Sequence, residues 1–154
     1  MGIRFFIPDM EFKQWLKDYA GDRIIIDVGA GTGEFALEMR EIGAKIMCIE
    51  PYNEVDSYNF ISKGIQWWPH RVEESQTIIK AIKDKGLFLF ARPCHSDFVE
   101  NCITYMDDKA EALYITIPKN LVRYQDLGIW NNYKTLLTHK GTSEENEVVY
   151  SIKK

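Results

Sequence analysis

Thr135-Leu136-Leu137-Thr138-His139 and Val148-Val149-Tyr150-Ser151-Ile152 both read as strands, and only the eight residues Lys140–Glu147 separate them. Two parallel strands need a crossover of about a dozen residues or more, so this pair must be an antiparallel hairpin. Upstream of it, apolar strand-like runs alternate with helix-like stretches, the pattern of a parallel α/β sheet. The chain therefore reads as five parallel strands followed by one hairpin.

Working back from the hairpin, strand five is Ala112–Ile117, stopped by Pro118, and strand four is Leu87–Ala91. Strand three falls at Ile65–Pro69, strand two at Lys45–Glu50 and strand one at Arg23–Val28. In strand one the consecutive Ile24, Ile25 and Ile26 suit a strand buried on both faces. An opening helix fits Asp9–Ala20: Asp9 can cap it, and Phe12, Trp15, Leu16 and Tyr19 form one apolar stripe. Helix Glu34–Ile42 buries Phe35, Ala36, Met39 and Ile42, with Gly43 placed to end it. Helix Val72–Asp84 is closed by Gly86, and Ser96 caps a helix to Asp108 with Phe98, Cys102, Ile103 and Met106 on one side.

Between strand one and its helix lies Asp27-Val28-Gly29-Ala30-Gly31-Thr32-Gly33-Glu34. Glycines here let the chain turn at positive φ and let a ligand lie against bare backbone. The helix that follows offers unpaired N–H groups and partial positive charge. Gly31-Thr32-Gly33-Glu34-Phe35-Ala36 also satisfies the dinucleotide pattern G-x-G-x-x-G/A, with Glu50 at a suitable distance. Three features favour S-adenosylmethionine over a nicotinamide dinucleotide. The glycine series starts at Gly29, next to the strand. Asp27 puts a carboxylate where pyrophosphate would be repelled. The terminal hairpin replaces the parallel crossover with which a nicotinamide-binding domain would continue.

On the motifs Asp27–Glu34 and Ile49–Tyr52, the sequence resembles the class I S-adenosylmethionine-dependent methyltransferase family. The resemblance implies a three-layer α/β/α sandwich whose mostly parallel, seven-stranded sheet has the order 3-2-1-4-5-7-6 and carries the antiparallel C-terminal hairpin. It implies that Asp27, Gly29, Ala30, Gly31 and Gly33 surround the methionine half of the cofactor. Glu50 would accept hydrogen bonds from both ribose hydroxyls, and Pro51 and Tyr52 would pack against adenine. These roles suit the chemistry, since a carboxylate takes two donors well and a flat apolar surface suits a purine. After strand three the family places an acid near the adenine edge. Here the segment is Trp67-Trp68-Pro69-His70-Arg71-Val72-Glu73, in which the acid is missing unless Glu73 or Glu74 supplies it. Backbone contacts from His70–Val72 would place Arg71 among the cofactor-binding residues. The plainer role for at least one tryptophan is edge-strand packing.

Ligand chemistry in open α/β sheets gathers beyond the carboxyl ends of the strands. After strand four stands Ala91-Arg92-Pro93-Cys94-His95-Ser96-Asp97. It lacks the (Asp/Asn)-Pro-Pro-aromatic motif of amino-group methyltransferases, so methylation of base amino groups is not supported. Pro93-Cys94 is similar to the Pro-Cys pair of cytosine-C5 methyltransferases, in which a thiolate attacks the ring, and Arg92 or His95 would lower such a thiol's pKa. His95 is alternatively a general base toward an acceptor O–H or N–H. The bland alternative is a polar loop that only shapes the pocket. Cys94 and His95 are thus the candidate catalytic residues, with Arg92 counted on the cofactor side.

No metal site is expected. With strands three and four three places apart, at about 4.8 Å each, His70 cannot share a metal with Cys94 and His95. Cys48 and Cys102 read as core residues.

The 154 residues suffice for one domain. A net charge of −4 argues against non-specific nucleic-acid binding, which rests on Lys and Arg neutralising phosphates. Three cysteines make no disulfide framework, and Met1–Met10 has too short an apolar run for a leader or a membrane span, so a cytoplasmic protein is expected. The expected activity is methyl transfer from S-adenosylmethionine to an acceptor that the sequence does not identify, either a small molecule or a substrate presented by a partner. A non-catalytic S-adenosylmethionine-binding subunit and an NAD(P)-binding oxidoreductase are the alternatives, and both a homodimer and a partner subunit stay open. The stretch Lys119–Tyr133, with Tyr124, Trp130 and Tyr133, is expected either to cap the acceptor pocket or to pack against the sheet or a second subunit.

Overall fold

The computed structural model describes residues 6–29, 33–49, 66–68 (through the backbone), 86–92, 99, 102–104, 106, 110–117, 133–140 and 146–153. Within them the elements are α1 (Met10–Ala20), β1 (Ile24–Val28), α2 (Glu34–Glu41), β2 (Ile46–Ile49), β3 (Gln66–Trp68), β4 (Gly86–Ala91), β5 (Glu111–Thr116), β6 (Tyr133–His139) and β7 (Glu147–Lys153). Seven strands form one sheet in the order β3-β2-β1-β4-β5-β7-β6. The first five pair in parallel, and β7 runs antiparallel to both β5 and β6. The expected order and hairpin are thus both present.

Alternation along the strands sorts the core into two faces. Ile26, Phe88, Phe90, Ala112 and Tyr114 point to one face, where Val99, Cys102, Ile103 and Met106 cover them. Residues 99 and 102–104 are helical. Ile25, Leu87, Leu89, Leu113 and Ile115 point to the other face, where α1 and α2 supply Phe12, Leu16, Ala20, Phe35 and Met39. Helices therefore flank the sheet on both sides, making three layers. Cys48 and Cys102 are fully buried, and burial pushes the Cys102 thiol up to about 12, which fits an inert core residue.

Local signals account for the helix ends. Asp9 caps α1, its Oδ1 accepting from the Phe12 amide at 2.9 Å. Gly43, at φ 90°, follows α2. Lys13 Nζ meets Glu38 Oε2 at 3.0 Å and ties α1 to α2.

Three details differ from expectation. Gly86 opens β4, one residue earlier than expected, and pairs with Ile24. Glu147 belongs to β7 and pairs with His139, so the hairpin connection is shorter than the strand patterns indicate. Tyr133 is the first residue of β6, level with Ile152 and hence with Ala112 at the start of β5. That is the amino-terminal end of β5, opposite the end reached by β1 at the glycine loop. There Tyr133 packs edge-on against Tyr150, with ring centroids 5.3 Å apart. It is therefore not part of a cover over the carboxyl edge. The rest of the proposed cap, including Tyr124 and Trp130, lies outside the described residues, as does helix Val72–Asp84.

Candidate active site at the carboxyl edge of the sheet

The parallel register brings several strand ends to one edge. Val28 is level with Ile49, Asp27 with Leu89, and Ala91 with Ile115. Antiparallel β7 begins at that same edge, since Thr116 faces Val148, and β6 ends there with His139 opposite Glu147.

Asp27 sits at the centre of this edge and is only 4% exposed. Burying a carboxylate is costly unless its charge is matched, so a buried acid at a strand end marks a place built for donors. Gly29 follows at φ 78°, its amide donating to the Ile49 carbonyl at 2.8 Å. This bond continues the β1–β2 ladder one residue past the end of β1. Gly33 stands at φ 72° as the residue before α2 and has no side chain with which to cap that helix. The start of a helix offers N–H groups to an acceptor. A buried acid, two left-handed glycines and the start of α2 thus come together at the carboxyl edge. Ala30, Gly31, Glu50, Pro51, Tyr52 and Arg71 lie outside the described residues, and so do the candidate catalytic residues Cys94 and His95.

Arg92 is described, and its surroundings were not legible in the sequence. Directly after β4 it adopts φ 53°, the only positive φ at a non-glycine among the described residues. Its amide donates to the Ile115 carbonyl at 2.8 Å, and its Nη1 donates to Glu147 Oε2 at 2.9 Å. Glu147 is 1% exposed and also faces His139, whose Nε2 is 3.4 Å from Oε1. Burial holds the His139 imidazole below its ordinary pKa, outweighing the opposing pull of Glu147 and Asp9. The one sequence signal for this cluster is that Glu147 and His139 bracket the hairpin connection, where a strand register pairs them.

A second buried polar cluster lies at the opposite edge. Glu111 accepts from Tyr19, Ser151 and Arg23, the last at 2.7 Å. It joins α1, β5 and β7, far from the glycine loop, and its place and full set of partners make it a structural pin.

No helix among the described residues is long and apolar enough to cross a membrane. The chain matches no family model and no curated protein. Its fold is similar to that of several solved methyltransferases. Precorrin-6y C5,15-methyltransferase from Geobacter metallireducens aligns with a TM-score of 0.65 at 7% identity, over 100% of this chain and 93% of that one. The ribosomal protein L11 methylase of Lactobacillus delbrueckii subsp. bulgaricus aligns at 0.59 and 13% identity, over 94% and 78%. A Burkholderia thailandensis 1,6-didemethyltoxoflavin-N1-methyltransferase, solved with S-adenosylhomocysteine, aligns at 0.60 and 11%, over 94% and 77%. The chain has the Rossmann-like fold of the class I S-adenosylmethionine-dependent methyltransferases.

Proposed function

We propose that this protein binds S-adenosylmethionine at the carboxyl edge of its sheet and transfers the methyl group to an acceptor, either a small molecule or a substrate presented by a partner. The observation that carries the reading is the meeting of buried Asp27, left-handed Gly29 and Gly33, and the start of α2 at one edge of the sheet. Asp27 and the bare backbone of Gly29, Ala30, Gly31 and Gly33 would hold the methionine portion. Glu50 would take the ribose hydroxyls, Pro51 and Tyr52 would face adenine, and Arg71 would add backbone contacts. The presence of antiparallel β7 between β5 and β6 supports this reading over a nicotinamide-dependent oxidoreductase.

S-adenosylmethionine supplies an already activated methyl carbon on a sulfonium. The acceptor's lone pair forms the new bond as the carbon–sulfur bond breaks, and the electron pair stays on sulfur. The protein's part is to align the two reactants and, for an O–H or N–H acceptor, to take a proton. Cys94 and His95, just past β4, are proposed for the acceptor side.

Thermal unfolding with each cofactor tests the reading. A ligand that binds only the folded state, at about 100 times its dissociation constant, adds roughly 2.7 kcal/mol. S-adenosylmethionine or S-adenosylhomocysteine should raise the melting temperature and NAD(H) should not. The reverse pattern would overturn the proposal.

A further inference from the structure

At the carboxyl edge of the sheet, the side chains of Arg92, just past β4, and of Glu147 and His139 meet, with 21%, 1% and 10% exposure. Glu147, from the start of β7, has one oxygen on Arg92 and the other facing His139. His139, at the end of β6, is 10% exposed. Its ring stacks on Phe12 at 4.3 Å between centroids and meets the edge of Phe6 at 6.5 Å. Neither ring nitrogen has a hydrogen-bond partner among the described residues. The charged groups around the imidazole are Glu147 from β7 and, at the cap of α1, Asp9, with Arg92 beyond Glu147.

Left-handed backbone at a non-glycine residue is costly, and such strain persists only where neighbours enforce it. At Arg92 the enforcing contacts are its amide bond to Ile115 and the ion pair to Glu147. The pair thereby fixes the direction in which the chain leaves β4, two residues before Cys94.

We propose that Arg92 and Glu147 are positioning residues that hold the chain as it leaves β4 at the cofactor edge, and that a proton on His139 loosens Glu147's hold on Arg92. With His139 neutral, Arg92 is the one cation that touches the Glu147 carboxylate among the described residues. A proton on His139 places a second cation against the other oxygen, which draws part of the carboxylate's field and repels the guanidinium. The direction of the His139 shift keeps the ring neutral at pH 7 and the latch closed there. That the latch serves methyl transfer rests on the function proposed above; the coupling of the three side chains does not.

The test is an NMR titration of the full chain from pH 7.5 to 5, with His139 assigned by its loss in His139→Phe. In the wild type the Arg92 Nε–H signal should shift with the same midpoint as the His139 ring, below 6.5. In Glu147→Gln the Arg92 shift should vanish, and the His139 midpoint should fall further because its carboxylate neighbour is gone. In His139→Phe, which keeps a ring stacked on Phe12, the Arg92 signal should stay at its high-pH position throughout. An Arg92 signal that ignores His139, or that titrates unchanged in His139→Phe, overturns the coupling. Calorimetry with S-adenosylhomocysteine at pH 7.5 and 5.5 tests the link to the site. Affinity should fall several-fold at the lower pH in the wild type and stay level in His139→Phe. Equal affinities in the wild type, beside a coupled titration, overturn the link. No binding at either pH overturns the methyl-transfer reading, and the titration alone then decides the latch.

Discussion

A methyl group placed on Gly86 would lie 2.2 Å from Cδ1 of Ile26, with Ile26 Cγ1 and the Ile24 carbonyl oxygen each at 3.1 Å. The side chain of Ile26 thus occupies the space that any residue at 86 would need, and β1 and β4 pair closely because one of them is bare there. Gly86→Ala should cost about 1–3 kcal/mol in denaturant unfolding, the usual range for overpacking. Ile26→Val removes Cδ1 and by itself should cost about 0.5–1.5 kcal/mol. Together they should cost less than their sum by at least about 0.5 kcal/mol. Simple additivity would show that the sheet moves instead of the side chain.

Glu111 anchors the opposite edge of the sheet. Burial pushes its carboxyl up, but the donors Ser151, Tyr19 and Arg23 together overcome this and leave it below the usual value of 4.5. A carboxyl held low in the folded state contributes stability above its unfolded pKa and loses it as pH falls through the folded one. The acid limb below about pH 4.5 should therefore be shallower in Glu111→Gln than in the wild type. At neutral pH that variant should be less stable by about 1–3 kcal/mol, the cost of spoiling a buried, charge-assisted hydrogen-bond set. Equal acid limbs would remove Glu111 from the account.

The contrast between these two clusters and the strand order explains what was readable in the sequence. The strands and the terminal hairpin follow from local patterns, with Ile24–Ile26 marking a doubly covered strand and the short span from His139 to Val148 permitting only a hairpin, whereas their order came from the family resemblance. The strand-end place of Asp27 and the turn at Gly29 were legible because they depend on neighbours in sequence. Glu111, Glu147 and Arg92 were not, because their partners lie 40 to 92 residues away and no periodicity records such pairings. The contact of Gly86 with Ile26 was not legible, because a glycine can mark a chain stop or a close neighbouring side chain equally well.

His139 should make the protein less stable just below neutrality. Its folded pKa is depressed, so between about 6.5 and the folded value the unfolded chain takes up a proton that the folded chain refuses. Stability falls across that window as pH drops and levels off below the folded pKa. His139→Phe should abolish this contribution. It should also add about 1 kcal/mol at pH 7, because two unpartnered nitrogens are removed while the stack on Phe12 remains. A variant that is less stable at pH 7 and retains the slope would mean that the imidazole is satisfied in a way that phenyl cannot reproduce.

Gly29 separates the demands of the fold from those of the ligand. A Cβ there meets nothing within 4 Å among the described residues, yet φ 78° disfavours a side chain. Gly29→Ala should therefore destabilise by about 1–2 kcal/mol through backbone conformation alone. Gly29→Asn should cost less, because asparagine tolerates positive φ through local hydrogen bonding. Were the glycine only a turn residue, S-adenosylhomocysteine affinity would follow stability, and asparagine would be the milder change in both. If bare backbone faces the cofactor, the order reverses for binding: asparagine, the larger side chain, should lose more affinity than alanine although it folds better. Calorimetry on both variants, at a temperature where each is folded, reads the two orders separately. Parallel losses would leave Gly29 as a turn residue and move the cofactor's contact elsewhere on the loop.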